Sequence, residues 1–189
     1  MTINKNGIQI PEALRGLIEK PPLLEGEDPD QFWRFFAAVA DEQKPQGILD
    51  WISVVDIATK AWEELRLRRS SVALIHGGML NALMYFMSQM RPSPLGGNLK
   101  LATTSITNSA LAYFSTDPKE KAEVVARLAQ HGIGLAELQA KAAELNGQPL
   151  QMFERMIAAR ENGRRQLRKE AAVREAKREN RETNRRSTA

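Results

Sequence analysis

Cysteine is absent from this 189-residue chain. That excludes disulfides, thiolate metal sites and cysteine nucleophiles, and it suits a reducing compartment, so the expected location is the cytoplasm. Histidine is nearly absent too, with only His76 and His131, and the expectation is no metal site and no cofactor. Aromatic residues make up 6% of the chain. A core must therefore be built mostly from Leu, Ile, Val, Ala and Met. No basic stretch followed by an apolar run opens the sequence, so no signal peptide is expected. The most apolar window, 72–90, is interrupted by His76, Gly77, Gly78, Asn81, Ser88 and Gln89. It reads as a core helix rather than a membrane span, and no membrane partner is expected.

What the chain has in quantity is charge, unevenly placed. The net charge is +4. From Arg160 to the end stand eleven Lys/Arg and five Glu, a local +6, while residues 1–159 carry sixteen Lys/Arg and eighteen Asp/Glu, a local −2. A mildly acidic body thus carries a basic tail. The expected segments are an arm over 1–27, a helical body over 28–159 and a basic helical tail over 160–189.

Periodicity is helical throughout, and the expected class is all-α. In the arm, proline and glycine leave room for one short helix near Pro11–Glu19. Asp28-Pro29-Asp30-Gln31 then has the form of a helix start, with a cap, proline at the first helical position and Gln31 at N3. Phe32, Phe35, Phe36 and Val39 make its apolar stripe, and Lys44-Pro45 ends it. From Gln46 a stripe runs Trp51, Val55, Ala58, Trp62, Leu65, Arg69, Val72, His76, Met79, Leu83, Phe86, Met90. Its alternating steps of four and three predict one helix of roughly 45 residues packed along its length. The stripe keeps its phase across Gly77-Gly78, so the helix is expected to continue there and the glycines to admit a neighbouring helix. Residues 91–98 read as a loop. Shorter helices follow over Thr103–Phe114, from Asp117-Pro118 with Val124, Val125 and Leu128 inward, and over Ile133–Asn146 with Leu135, Leu138, Ala142 and Leu145 inward. Gly147-Gln148-Pro149 reads as a break before a last helix that runs past residue 180.

The stretch LLEGEDPDQFWRFFAAVADEQKPQGILDWISVVDIATKAWEELRLRRSSVALI resembles a recurring pattern in small bacterial proteins. A Gly-Glu-Asp-Pro cap, a Pro-x-Gly turn and a helix with Trp and a Leu/Arg cluster carry the resemblance. YFSTDPKEKAEVVARLAQHGIGLAELQAKAAELN and FERMIAARENGRRQLRKE extend it over roughly two-thirds of the chain. It implies a helical family and carries over no catalytic residue.

No phosphate-binding glycine loop, zinc-protease helix or nucleophile elbow occurs, and no catalytic residue is assigned. Glu63-Glu64 are adjacent and diverge around a helix, so they read as a solvated face. His76 reads as a core or boundary residue. Trp51 and Trp62 read as core anchors. Arg66, Arg68 and Arg69 read as a helix surface paired with Glu63, Glu64 or the acids of another helix, with a phosphate contact as the alternative. The candidate nucleic-acid contacts are Arg160, Arg164, Arg165, Arg168, Lys169, Arg174, Lys177 and Arg178, because Arg and Lys clustered on successive turns suit phosphates. No aromatic follows Phe153, so any contact with DNA or RNA there would be to the backbone. Two readings follow. One is a non-enzymatic accessory protein that holds nucleic-acid backbone with its tail, within a larger nucleoprotein assembly. The other is an interaction or scaffolding module, with a dimerising heptad face and a tail that docks on an acidic protein partner.

Overall fold

The computed structural model describes residues 2–3, 9–14, 16, 20–90 and 99–187. The class is all-α. Among the described residues six α-helices follow one another: α1 (Pro29–Gln43), α2 (Ile48–Gln89), α3 (Leu99–Ala112), α4 (Pro118–Gln130), α5 (Leu135–Leu145) and α6 (Gly147–Ser187). The long helix α2 packs against shorter helices, as the stripe predicts. Before them, Thr2–Ile3 and Gln9–Ile10 form a two-residue antiparallel pair, β1 and β2, and Glu12–Leu14 makes one 3-10 turn. Strand pairing and a 3-10 turn stand where only a short helix was expected. Loop 91–98 lies outside the described residues, as do Arg15 and residues 17–19 of the expected arm helix.

The helix starts follow their caps. Asp28 accepts a hydrogen bond from the Asp30 N–H at 2.8 Å, and Asp117 accepts one from the Lys119 N–H at 2.9 Å. Each cap precedes a proline at the first helical position. Lys44 closes α1 in the left-handed conformation, with its N–H on the Ala40 carbonyl. Two differences concern ends. α3 begins at Leu99 rather than Thr103. α6 begins at Gly147, so Asn146 alone separates it from α5, and Pro149 sits within its first turn. Proline is tolerated there because the first N–H groups of a helix have no partner to lose.

The chain divides into two compact units. The first comprises Met1–Leu67 and Arg155–Ala189. Its core gathers Ile10, Leu14, Phe32, Phe36, Val39, Ala40, Trp51, Val54, Ile57, Ala58 and Trp62. Trp62 is buried, edge-on to Phe32 at 5.4 Å between ring centroids. Ile10 and Leu14 bring the arm into this core. The second unit is Arg68–Glu154. Its core is Met79, Ala82, Leu83, Met87, Ala110, Val124, Leu128, Leu138 and Ala142.

The heptad stripe of α2 is only partly a packing stripe. Trp51, Ala58 and Trp62 are buried in the first unit, and Met79 and Leu83 in the second. Leu65, Arg69, Val72 and His76 between them are exposed. Each core buries its own length of the stripe, and the sequence periodicity persists through the exposed positions. His76 is thus on the surface rather than in a core or boundary position. Val125, Leu135 and Leu145, expected inward, are also exposed. Val124 and Leu128 suffice for the inner face of α4, and on α5 the close packing is centred on Leu138 and Ala142.

α2 runs unbroken through its two glycines. A side chain at Gly78 would collide with the Asn146 amide and stand 3.3 Å from the Ala142 carbonyl, whereas one at Gly77 would meet open space. Gly78 therefore admits α5, and Gly77 has no such role. By length and composition α2 also passes as a membrane-crossing helix, with a window of mean hydropathy 1.2.

Candidate interaction surface on the C-terminal helix

α6 has 41 residues and not one of them is fully buried. Its seam starts with Phe153 and Ile157 and continues with Arg160, Arg164, Leu167, Ala171, Arg174 and Arg178, at alternating steps of four and three. These positions share one face of a helix. In the first unit that face meets acids of α1 and α2. Arg160 pairs with Glu63. Arg164 Nη2 stands 2.9 Å from Glu64 Oε2, and Arg168 Nη2 stands 3.3 Å from Glu42 Oε1. Arg174 Nε and Arg178 Nη2 converge on Asp50, at 3.3 Å from Oδ1 and 2.6 Å from Oδ2. Arg174 Nη2 also donates to Ser53 Oγ at 2.6 Å. Leu167 is the one apolar side chain of α6 packed against the core of this unit. At Gly163 the helix runs so close to Lys60 that an added Cβ would lie 3.1 Å from its Cε.

Asp50 is the node of this ladder. It is the third residue of α2, and its Oδ2 accepts the N–H groups of Gln46 and Gly47, both at 3.1 Å, as an N-terminal cap does. Burial disfavours its charge, but Arg178 and those two N–H groups outweigh burial and hold the carboxyl below its ordinary value. Ser53, one turn further along α2, and Glu64, about four turns along, are the buried polar residues among those described. Taking both Arg174 and Arg178 away would strip a largely buried carboxylate of these counter-charges, which costs more than the pairs themselves contribute.

The eight candidate residues therefore separate into two sets. Arg160, Arg164, Arg168, Arg174 and Arg178 face the body and are ion-paired to it. Arg165, Lys169 and Lys177 are exposed and make no ion pair among the described residues. Periodicity and composition do not mark Glu42, Asp50 and Ser53 as a surface for the tail, and Glu63-Glu64 do not form the solvated face expected of them: Glu64 is buried, Glu63 is half-buried, and both pair with arginines of α6. The available signal is the continuation of the Phe153–Ile157 seam by arginines, which places them on the same helix face as its apolar members.

A separate clasp holds the segment before α1. Arg66 donates to both oxygens of Glu27, Nε to Oε1 at 2.8 Å and Nη2 to Oε2 at 2.7 Å, and to the Pro22 carbonyl at 2.8 Å. The Arg66 guanidinium lowers the Glu27 carboxyl to about 2; burial opposes this, and the Leu24 N–H assists. The Trp62 indole N–H faces the same carboxylate and adds to the shift without a well-aligned hydrogen bond. Arg66 is thus paired with an acid, as the surface-cluster reading holds, though the acid lies before α1.

In the second unit an open groove of about 590 Å³ lies between α3 and α4, lined by Leu111, Ala112, Val124, Glu120, Glu123 and Arg127 among others. Its wall mixes apolar, acidic and basic groups and converges on no single chemistry. Among the described residues no group of three His, Asp or Glu side chains gathers as a metal site. No protein-family model, curated protein or solved structure matches the chain.

Proposed function

We propose that this protein is a non-enzymatic helical interaction module of the reducing cytoplasm, which offers an apolar helix face to a partner helix, in the first instance that of a second copy. One observation carries the reading. Ile48, Leu49 and Ile52 stand on one face of the first turns of α2, exposed by 51, 65 and 37%. Three aliphatic side chains together in solvent mark a contact surface more than isolated ones do. The arginine seam of α6 supports the same reading from the other side, since it is spent on contacts within the chain. The test is sedimentation of the full chain over a concentration series, alone and as the Ile48→Glu/Leu49→Glu/Ile52→Glu variant. Self-association lost in the variant, with helix content kept, supports the reading. A monomer at every concentration removes the second copy as the partner.

A second reading rests on Arg165, Lys169 and Lys177, which are exposed. It is sequence-blind binding of DNA or RNA phosphates. Affinity for duplex DNA would then fall with salt, by about 0.9 in log–log slope for each phosphate neutralised. Absence of binding at low ionic strength, where the attraction is least screened, sinks it.

A further inference from the structure

A helix as long as α6 ordinarily docks by burying a stripe. Here no residue is fully buried, one leucine packs on the core, and five arginines meet four carboxylates. The contact is therefore held by charge, and charge is the interaction that a competing polyanion can replace. The five guanidinium groups recur at one to two turns along one face, which is an arrangement that fits successive phosphates as well as successive acids.

We propose that the contact of α6 with Glu42, Asp50, Glu63 and Glu64 is an autoinhibitory latch: the acids of α1 and α2 occupy in cis the arginine face that the phosphate backbone of a nucleic acid takes when α6 is displaced. This deepens the second reading above and rests on it for the ligand. It states which face binds and what holds it back. Asn162-Gly163 supplies a weak point for release, because both residues are poor helix formers. Arg165, Lys169 and Lys177, exposed while the latch is closed, give a polyanion its first hold. Displacement then frees Arg160, Arg164, Arg168, Arg174 and Arg178.

The test neutralises the competitor and leaves every arginine in place. The full chain carrying Glu42→Gln, Glu63→Gln and Glu64→Gln, with and without Asp50→Asn, is titrated with a fluorescent DNA duplex at low salt. A control chain carries Asp30→Asn, Asp41→Asn and Glu120→Gln, which change the net charge as much as the triple variant without touching the ladder. If the closed latch leaves about a tenth of the molecules competent, the ladder variants bind about tenfold more tightly than wild type and the control stays near wild type. The version without Asp50→Asn keeps the cap of α2, so a folding defect at that position does not decide the outcome. In parallel, spin labels on Asp41→Cys and Asn180→Cys report the separation of α1 from the end of α6. The duplex should lengthen it while helix content holds. Binding of equal strength in wild type and ladder variants, or binding that leaves the label distance unchanged, overturns the latch while leaving the nucleic-acid reading standing. No binding by wild type or either ladder variant overturns both.

Discussion

At the residue scale, the Glu27–Arg66 clasp makes stability depend on acid. The Glu27 carboxyl lies at about 2 in the fold against an ordinary 4.5. A depressed carboxyl stabilises the fold above its unfolded value, and that contribution disappears as pH falls from about 4.5 through about 2. Thermal melts should therefore show Glu27→Gln destabilised by about 1–2 kcal/mol at neutral pH, since the pair is only partly buried and solvent screens it. The gap to wild type should narrow below about 4.5 and close only as pH falls through about 2. A gap that persists in strong acid would assign the effect to packing instead. The glycines of α2 offer a paired experiment. Gly77→Ala places a methyl in open space inside a helix and should stabilise by about 0.5–1 kcal/mol. Gly78→Ala drives a methyl into Asn146 and Ala142 and should destabilise by about 1–3 kcal/mol. Trp62, edge-on to Phe32 in the first core, should cost about 3–5 kcal/mol on truncation to alanine, read by chemical denaturation.

At the element scale, the sequence makes the helices legible and their surroundings less so. Asp28-Pro29 and Asp117-Pro118 identify two helix starts from local chemistry alone, and the structure uses both. The stripe of α2 foretells its length and its continuity through Gly77-Gly78. It cannot foretell that Leu65, Val72 and His76 are uncovered, because periodicity records which face a residue shares and not whether anything lies opposite. The same gap explains the tail. Its arginines are plain in the sequence, but their pairing with Glu42 and Asp50 joins residues more than a hundred positions apart. Local composition shows the charge, and only the tertiary fold shows where it is spent. The ladder sets an expectation for α6 itself. Amide exchange in residues 164–187 should quicken as salt rises from low to molar concentration, while the amides of α1 stay protected, because screening weakens partly exposed ion pairs and leaves aromatic packing intact. Equal protection of both helices at all salt concentrations would mean that packing, not charge, holds α6.

At the scale of the whole molecule, the two cores set what one mutation can reach. Phe36 is fully buried among the aromatic residues of the first unit, and Leu83 is fully buried in the second, beside Leu128, Leu138 and Ala142. Among the described residues none belongs to both clusters. The backbone of α2 nonetheless runs through both units, so the covalent and helical continuity is complete while the side-chain packing is divided. A cavity removes contacts from its own lining, and the cost of either truncation should be about 3–5 kcal/mol for Phe36→Ala and about 2–5 kcal/mol for Leu83→Ala. The distribution of that cost is the informative measurement. Under native conditions Leu83→Ala should speed amide exchange in 75–90, 124–130 and 135–145, with little change over 32–40 and 51–62. Phe36→Ala should do the reverse. This follows because local opening is governed by the contacts that each segment loses, and those contacts are not shared. A uniform rise across all amides in either variant would show that α2 transmits unfolding as one cooperative helix.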